Sequence, residues 1–266
     1  MGSRSKHSGR ARKRRPSSTG AGPSLHRAVP GAAGAVDVDL RDAALQRVAQ
    51  QRTKAVAKGL RDRSVRGLHC VVLDAYDDLD RMHGELDLSP PVACCRGCSH
   101  CCWNQVSLTP AEALYLGFHL LETCSQERLA EISRRIDQVL GLIAGKTRQE
   151  MASIRHETPC PLLLDDACSV HPARPLACRG WNAVDAARCE RSVADNDPMA
   201  PIENHPFPRL LADAIQAGLL QGSQGSGLEA GYLVITRAWK LMRVHGLAQC
   251  AGNWLAGEPF FGLWAE

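Results

Sequence analysis

Five cysteines fall within the nine residues Cys94–Cys102, in the stretch CCRGCSHCC. Cys95, Cys98 and Cys101 follow a C-x2-C-x2-C spacing, and Cys102 comes directly after. Two intervening residues let a loop turn so that successive sulfurs face one ion while backbone N–H groups point at them. A thiol is mostly protonated at neutral pH, and a bound cation holds it as thiolate. One C-x2-C pair is a weak signal; three cysteines at this spacing with a fourth adjacent point to metal. A second group follows at Cys160, Cys168, Cys178 and Cys189. Prolines around it pre-set φ and leave fewer conformations to lose when ligands gather. The candidate metal ligands are thus Cys95, Cys98, Cys101, Cys102, Cys160, Cys168, Cys178 and Cys189. Neighbouring side chains diverge, so Cys101 and Cys102 do not easily aim at one ion. Two ions would answer this, as would one large cluster with some cysteines in support.

The spacing bears on which metal. Three close cysteines with a remote Cys-Pro are similar to the ferredoxin pattern that holds a four-iron, four-sulfur cluster, and Cys160-Pro161 supplies such a remote pair. That tips the reading toward an iron–sulfur cluster. Two tetrahedral zinc ions also suit eight thiolates, with His100 or His171 able to replace one. A disulfide framework is the third option. It needs an oxidising compartment, and no secretory signal is evident in the sequence.

CRGCSHCC, followed by CPLL and by CSVHPARPLACRGW, resembles the YkgJ-type cysteine-cluster family, the CxxCxxCC family of zinc- or iron-chelating domains. The likeness covers about residues 94–190. It implies ligands at Cys95, Cys98, Cys101 and Cys102, then Cys160, then Cys168 and the segment Arg174-Pro175-x-x-Cys178-Arg179, with Cys189 as a looser eighth. Where the family usually has an aromatic residue, this chain has His171. Some relatives are associated with flagellin lysine methylation, so the resemblance brings in a metal-dependent enzyme that modifies a protein side chain.

Arg174 and Arg179 flank a ligand loop, where a guanidinium offsets the charge of a thiolate site or holds an anionic cofactor or substrate. The plainer reading pairs them with Asp165, Asp166 or Asp185. Cys70, Cys124 and Cys250 lie in helical patterns and read as apolar fillers, and Cys94 as a bystander. No P-loop, nucleophile elbow or dinucleotide fingerprint is present. Whether the chain is an enzyme stays open.

The elements that must position these cysteines are mainly α-helical. Residues 37–83 are free of proline and rich in Ala and Leu; Leu40, Ala44, Val48, Ala55 and Val56 lie near one face, and Gly59 and Gly67 divide the run. Leu68, Val72, Tyr76 and Leu79 continue the pattern. Thr109, Pro110 and Glu112 predict a helix start, as does Ser125. Residues 157–181 break the helical rhythm with four prolines and three cysteines. RLLADAIQAGLL and GYLVITRAWKLMRVHGLAQ predict further helices, the latter with a stripe of Leu228, Tyr232, Ile235, Trp239 and Met242. QGSQGSG is expected to be a flexible separator. The fold class is mainly α: a helical domain over residues 37–266 around a cysteine-rich, metal-pinned loop core.

Residues 1–36 read as a disordered basic tail, since a Gly/Ser/Pro/Arg composition cannot repay the entropy of ordering. Residues 1–27 carry eight Arg or Lys and no acid, whereas the rest holds 24 basic and 28 acidic side chains, among which no basic stripe stands out. The plainer reading of the tail is a solvated segment; the functional ones are a nucleic-acid contact or an organelle transit peptide, and a zinc-stabilised interaction module with a protein partner is a further reading. No apolar run is long enough to span a bilayer, so no membrane partner is expected. The expected location is cytoplasmic, where thiols stay reduced and free to bind a metal ion.

Overall fold

Several helices of this chain begin where a short polar side chain accepts from the first free N–H groups. In the computed structural model, which describes residue 2, residues 42–95 and residues 97–261, Asp42 caps α1 (Ala43–Gly59) and Ser64 caps α2 (Val65–Gly84). A 3-10 turn, His100–Trp103, carries two of the cysteines and leads into β1 (Ser107–Leu108). α3 (Pro110–Thr123) opens on the full reciprocal box, Thr109 hydroxyl to the Glu112 N–H and Glu112 carboxylate to the Thr109 N–H, with proline at the first position. Ser125 caps α4 (Gln126–Ile143), and Thr147 caps α5 (Arg148–Ser153). The proline-rich stretch holds a hairpin, β2 (Leu163–Leu164) and β3 (Ala167–Cys168), followed by α6 (Leu176–Arg179) and α7 (Ala186–Ala194). Then come α8 (Pro206–Gly225), β4 (Leu233–Val234), α9 (Ile235–His245) and α10 (Leu247–Ala256). The class is mainly α, as expected. The expected disordered tail over residues 1–36 lies outside the described residues, apart from Gly2.

β1 pairs antiparallel with β4, so the chain leaving the cysteine turn is tied to the approach to α9. Asp165 and Asp166 join β2 to β3 as a two-residue turn with both φ positive (51° and 55°), the backbone twist that a tight hairpin needs. Leu68, Val72, Tyr76 and Leu79 of α2 pack into the same core as Leu114 and Leu120 of α3, Ile132 and Ile136 of α4, and Trp254 of α10. Among the described residues no helix is long and apolar enough to cross a membrane.

Three expectations differ from what forms. α1 buries Leu45, Ala49, Arg52 and Val56, while Ala44 and Ala55 face solvent. Arg52 can take an inward position because its guanidinium bonds the Asp74 carbonyl and the Asp78 carboxylate. Tyr232 leaves the expected stripe, because residues 233–234 pair with β1 and α9 starts only at Ile235. QGSQGSG is not a flexible separator: α8 runs through it to Gly225.

The reason for that continuation is the packing of α8 on α1. A Cβ at Gly222 would stand 2.5 Å from Val56 Cβ and 2.8 Å from the Thr53 carbonyl, and one at Gly218 would stand 2.6 Å from the Ala49 carbonyl. The glycines are what allow the two helices to approach. Gly222→Val is therefore expected to destabilise the protein by about 1–3 kcal/mol through overpacking. Urea unfolding at constant m would read it, and an unchanged midpoint would show that the α1–α8 contact is not close.

Candidate metal centre

The two cysteine groups are brought together by backbone first. In the early group, Cys98 N–H donates to the Cys95 carbonyl (3.1 Å) and Cys102 N–H to the Ser99 carbonyl (2.9 Å), which coils residues 95–102 into successive turns. The Cys160 N–H then donates to the Cys102 carbonyl at 2.7 Å, joining segments 58 residues apart. The β2–β3 hairpin sets Cys168 opposite Leu163. Cys178 sits in α6, its N–H on the Pro175 carbonyl (2.9 Å). Cys189 lies on α7, which packs against the 3-10 turn of Cys101 and Cys102, and Ala93 N–H bonds the Ala183 carbonyl (2.8 Å) just ahead of that helix. All twelve cysteines are free thiols.

The electrostatics show which thiols sense one another, and Cys101 is the common member. Its own thiol is held protonated by a hydrogen bond with Cys102 and then by burial. Burial first, and then Cys168 and Cys101, push Cys160 up to about 12. Cys178 is held well above the ordinary thiol range by burial and by Cys101, Cys160 and Cys168. On the other side, burial and then Cys94, Cys98 and Cys101 push Cys189 up to about 11. Cys94 is raised by burial, Cys98 and Cys101, and Cys168 by burial and Cys101. Two lobes thus meet at Cys101: Cys160, Cys168 and Cys178 on one side, and Cys94, Cys98 and Cys189 on the other. Cys95 is exposed at the rim.

Among the described residues, one cation, Arg174, acts on several of these thiols. Arg174 lowers the pKa of Cys94, Cys101, Cys168 and Cys178, and its Nε is buried with no hydrogen-bond partner. Arg179 is engaged elsewhere. Its side chain, 9% exposed, bonds Asp80 (2.7 Å) and the Arg174 carbonyl (2.9 Å), contacts the Pro172 carbonyl, and stacks 4.2 Å over Tyr76. Its acidic partner is Asp80, whereas Asp165 pairs with Arg128 and Asp185 with Arg188. His100 is half-buried in the 3-10 turn, and His171 is exposed at the start of another.

The donor set suits zinc or iron. It is all sulfur and soft, and it is crowded enough that its thiolates would repel one another unless a cation lay between them. The unpartnered Arg174 Nε adds a positive charge on the same side. As the side chains stand, no three of the described His, Cys, Asp or Glu residues already form a single ion's coordination shell. The backbone gathers the thiols, and closure around an ion is left to side-chain rotation.

Two residues that matter to this region were not singled out in the sequence. Cys94, read as a bystander, stands with Cys98 and Cys189; the signal was only its adjacency to the motif. Glu112, read as a helix-capping residue, is 0% exposed and holds three elements together. One oxygen accepts from Leu176 N–H at 2.8 Å, at the start of the turn bearing Cys178. The other accepts from Thr109 N–H and from Gln216 Nε2 of α8, both at 2.9 Å. A lone acid inside PAEALYLG, with apolar neighbours on both sides, was the available hint. Of the expected fillers, Cys250 is buried, Cys124 half-buried and Cys70 exposed on α2.

No curated protein and no solved structure matches the chain. The cysteine turn, the hairpin, α6 and α7 all fall inside residues 94–197, and these residues are similar to the CxxCxxCC family model, described as "putative zinc- or iron-chelating domain".

Proposed function

We propose that the protein binds zinc or iron through the thiols that converge on Cys101, and that the metal holds the proline-rich middle of a single domain, residues 37–266, in place. The observation that carries this reading is the meeting of separate segments at one turn: the Cys160 N–H sits on the Cys102 carbonyl at 2.7 Å, and α7 with Cys189 packs on the 3-10 turn of Cys101 and Cys102. The ligands of this reading are Cys95, Cys98, Cys101, Cys102, Cys160, Cys168, Cys178 and Cys189, with Cys94 as an added donor. The two lobes favour a centre of more than one metal atom, either a pair of ions or an iron–sulfur cluster. Bound there, the metal would supply structural cross-linking or, as a cluster, electron transfer; closed sulfur coordination leaves little room for a substrate. Twelve free thiols support a reducing compartment, the cytoplasm.

The test is anaerobic purification followed by elemental analysis for zinc, iron and inorganic sulfide, with thiol titration before and after chelation. Stoichiometric metal is expected, together with thiols that react only after the metal is removed. Metal at background level, with the buried thiols reacting no faster after chelator, would overturn the reading. Sulfide equimolar with iron would assign the cluster, and zinc without sulfide would assign the ion pair.

A further inference from the structure

α1 presents cations of one sign along one line. From Ala43 to Gly59 it contains Arg47, Arg52, Lys54 and Lys58 and no Asp or Glu. Arg52 points inward to Asp78, and the other three are exposed. At 100° per residue, Arg47, Lys54 and Lys58 fall within about 40° of each other, on the side opposite the buried Leu45, Ala49 and Val56. Gln50 and Gln51 lie beside them, and exposed Arg61 follows just past the helix. Read linearly the sequence shows no basic stripe, because spacings of seven and four residues align only once the helix forms.

A solvated helix face ordinarily mixes signs, as α4 does with Arg128–Glu131 and Glu131–Arg135. Lys54 and Lys58, four apart and alike in charge, weaken an isolated helix. No ion pair engages Arg47, Lys54, Lys58 or Arg61 among the described residues. Asp78 of α2 is already held by Arg52 and Arg81. A favourable C-terminal dipole accounts for Lys58 but not for Arg47.

We propose that this face of α1 docks on the sugar–phosphate backbone of a nucleic acid. At 1.5 Å per residue the row from Arg47 to Lys58 runs about 16 Å, which matches several consecutive phosphates. The amides of Gln50 and Gln51 can donate to phosphate oxygens between the cations. A lipid surface fits less well, because interfacial helices bury an apolar face in the bilayer and the apolar face of α1 is already in the core. Residues 1–27, with eight Arg or Lys and no acid, precede the same helix and add to the charge.

The test is fluorescence anisotropy of the full chain with a duplex DNA, an RNA hairpin and phosphatidylserine vesicles, over salt from about 50 to 200 mM. The variant is Arg47→Gln/Lys54→Gln/Lys58→Gln, with Arg134→Gln on α4 as the control. The plot of log affinity against log salt is expected to become shallower by about 2.7 in the triple variant and to stay unchanged in the control. Metal content and melting temperature should match the parent in both. An unchanged slope in the triple variant would overturn the proposal and leave binding to the leading segment. Absence of nucleic-acid binding at low salt, or binding to vesicles alone, would also overturn it.

Discussion

Cys178→Ser is expected to strip the protein of metal and to unravel residues 157–190, whereas Cys70→Ser leaves both untouched. Cys178 is the thiol on which most of its neighbours act: Cys101, Cys160 and Cys168 all raise it, and it reaches them from a four-residue helix with little stability of its own. Structural thiolate sites contribute on the order of 10 kcal/mol of folding free energy, so losing one donor removes a large share of what orders this segment. Loss of a mere supporting hydrogen bond lowers metal affinity by about 10–100-fold. A larger loss than that, read by chelator competition, would mark Cys178 as a ligand. Parent-like affinity and stoichiometry in Cys178→Ser would contradict its place in the centre.

Glu112→Ala is expected to lower stability by about 3 kcal/mol or more. The substitution leaves Leu176 N–H, Thr109 N–H and Gln216 Nε2 buried without an acceptor, and each orphaned donor costs about 1–3 kcal/mol. Glu112→Gln keeps the shape and one acceptor and should fall between. Burial, partly opposed by these donors, raises the Glu112 pKa above the ordinary carboxylate value. The folded protein therefore keeps this proton to higher pH than the unfolded chain does. Its contribution favours the folded state at low pH and declines as pH rises from the ordinary value through the raised one. Denaturant midpoints measured across that window should slope less in Glu112→Gln than in the parent. A parent-like midpoint for Glu112→Ala would show that the three donors find other partners.

What could be read from the residues alone was what is decided locally. Thr109, Pro110 and Glu112 start α3, and Ser125 starts α4, because a cap depends on three or four consecutive residues. The cysteine spacing likewise announced a site, since convergence of thiols is written into C-x2-C-x2-C and the Cys-Pro. Decisions made between distant segments stayed hidden. Gly222 lay in a stretch that read as flexible until α1 was laid against it. Arg52 faces inward only because Asp78, 26 residues further along, lies beneath it. Glu112 looked like a cap because Leu176 and Gln216 lie 64 and 104 residues further along the chain. The line of cations on α1 is hidden in the linear sequence because Arg47, Lys54 and Lys58 align only on the formed helix.

The hydrogen bond from Cys160 to the carbonyl of Cys102 closes a loop that contains α3 and α4. In a loose coil, bringing ends 58 residues apart together costs roughly 3.6 kcal/mol in entropy before any constant term. Here α3 and α4, anchored in the core, span that separation and carry part of the closure. A bound ion would then have less of it left to supply, and its work would be to draw the thiols into one shell.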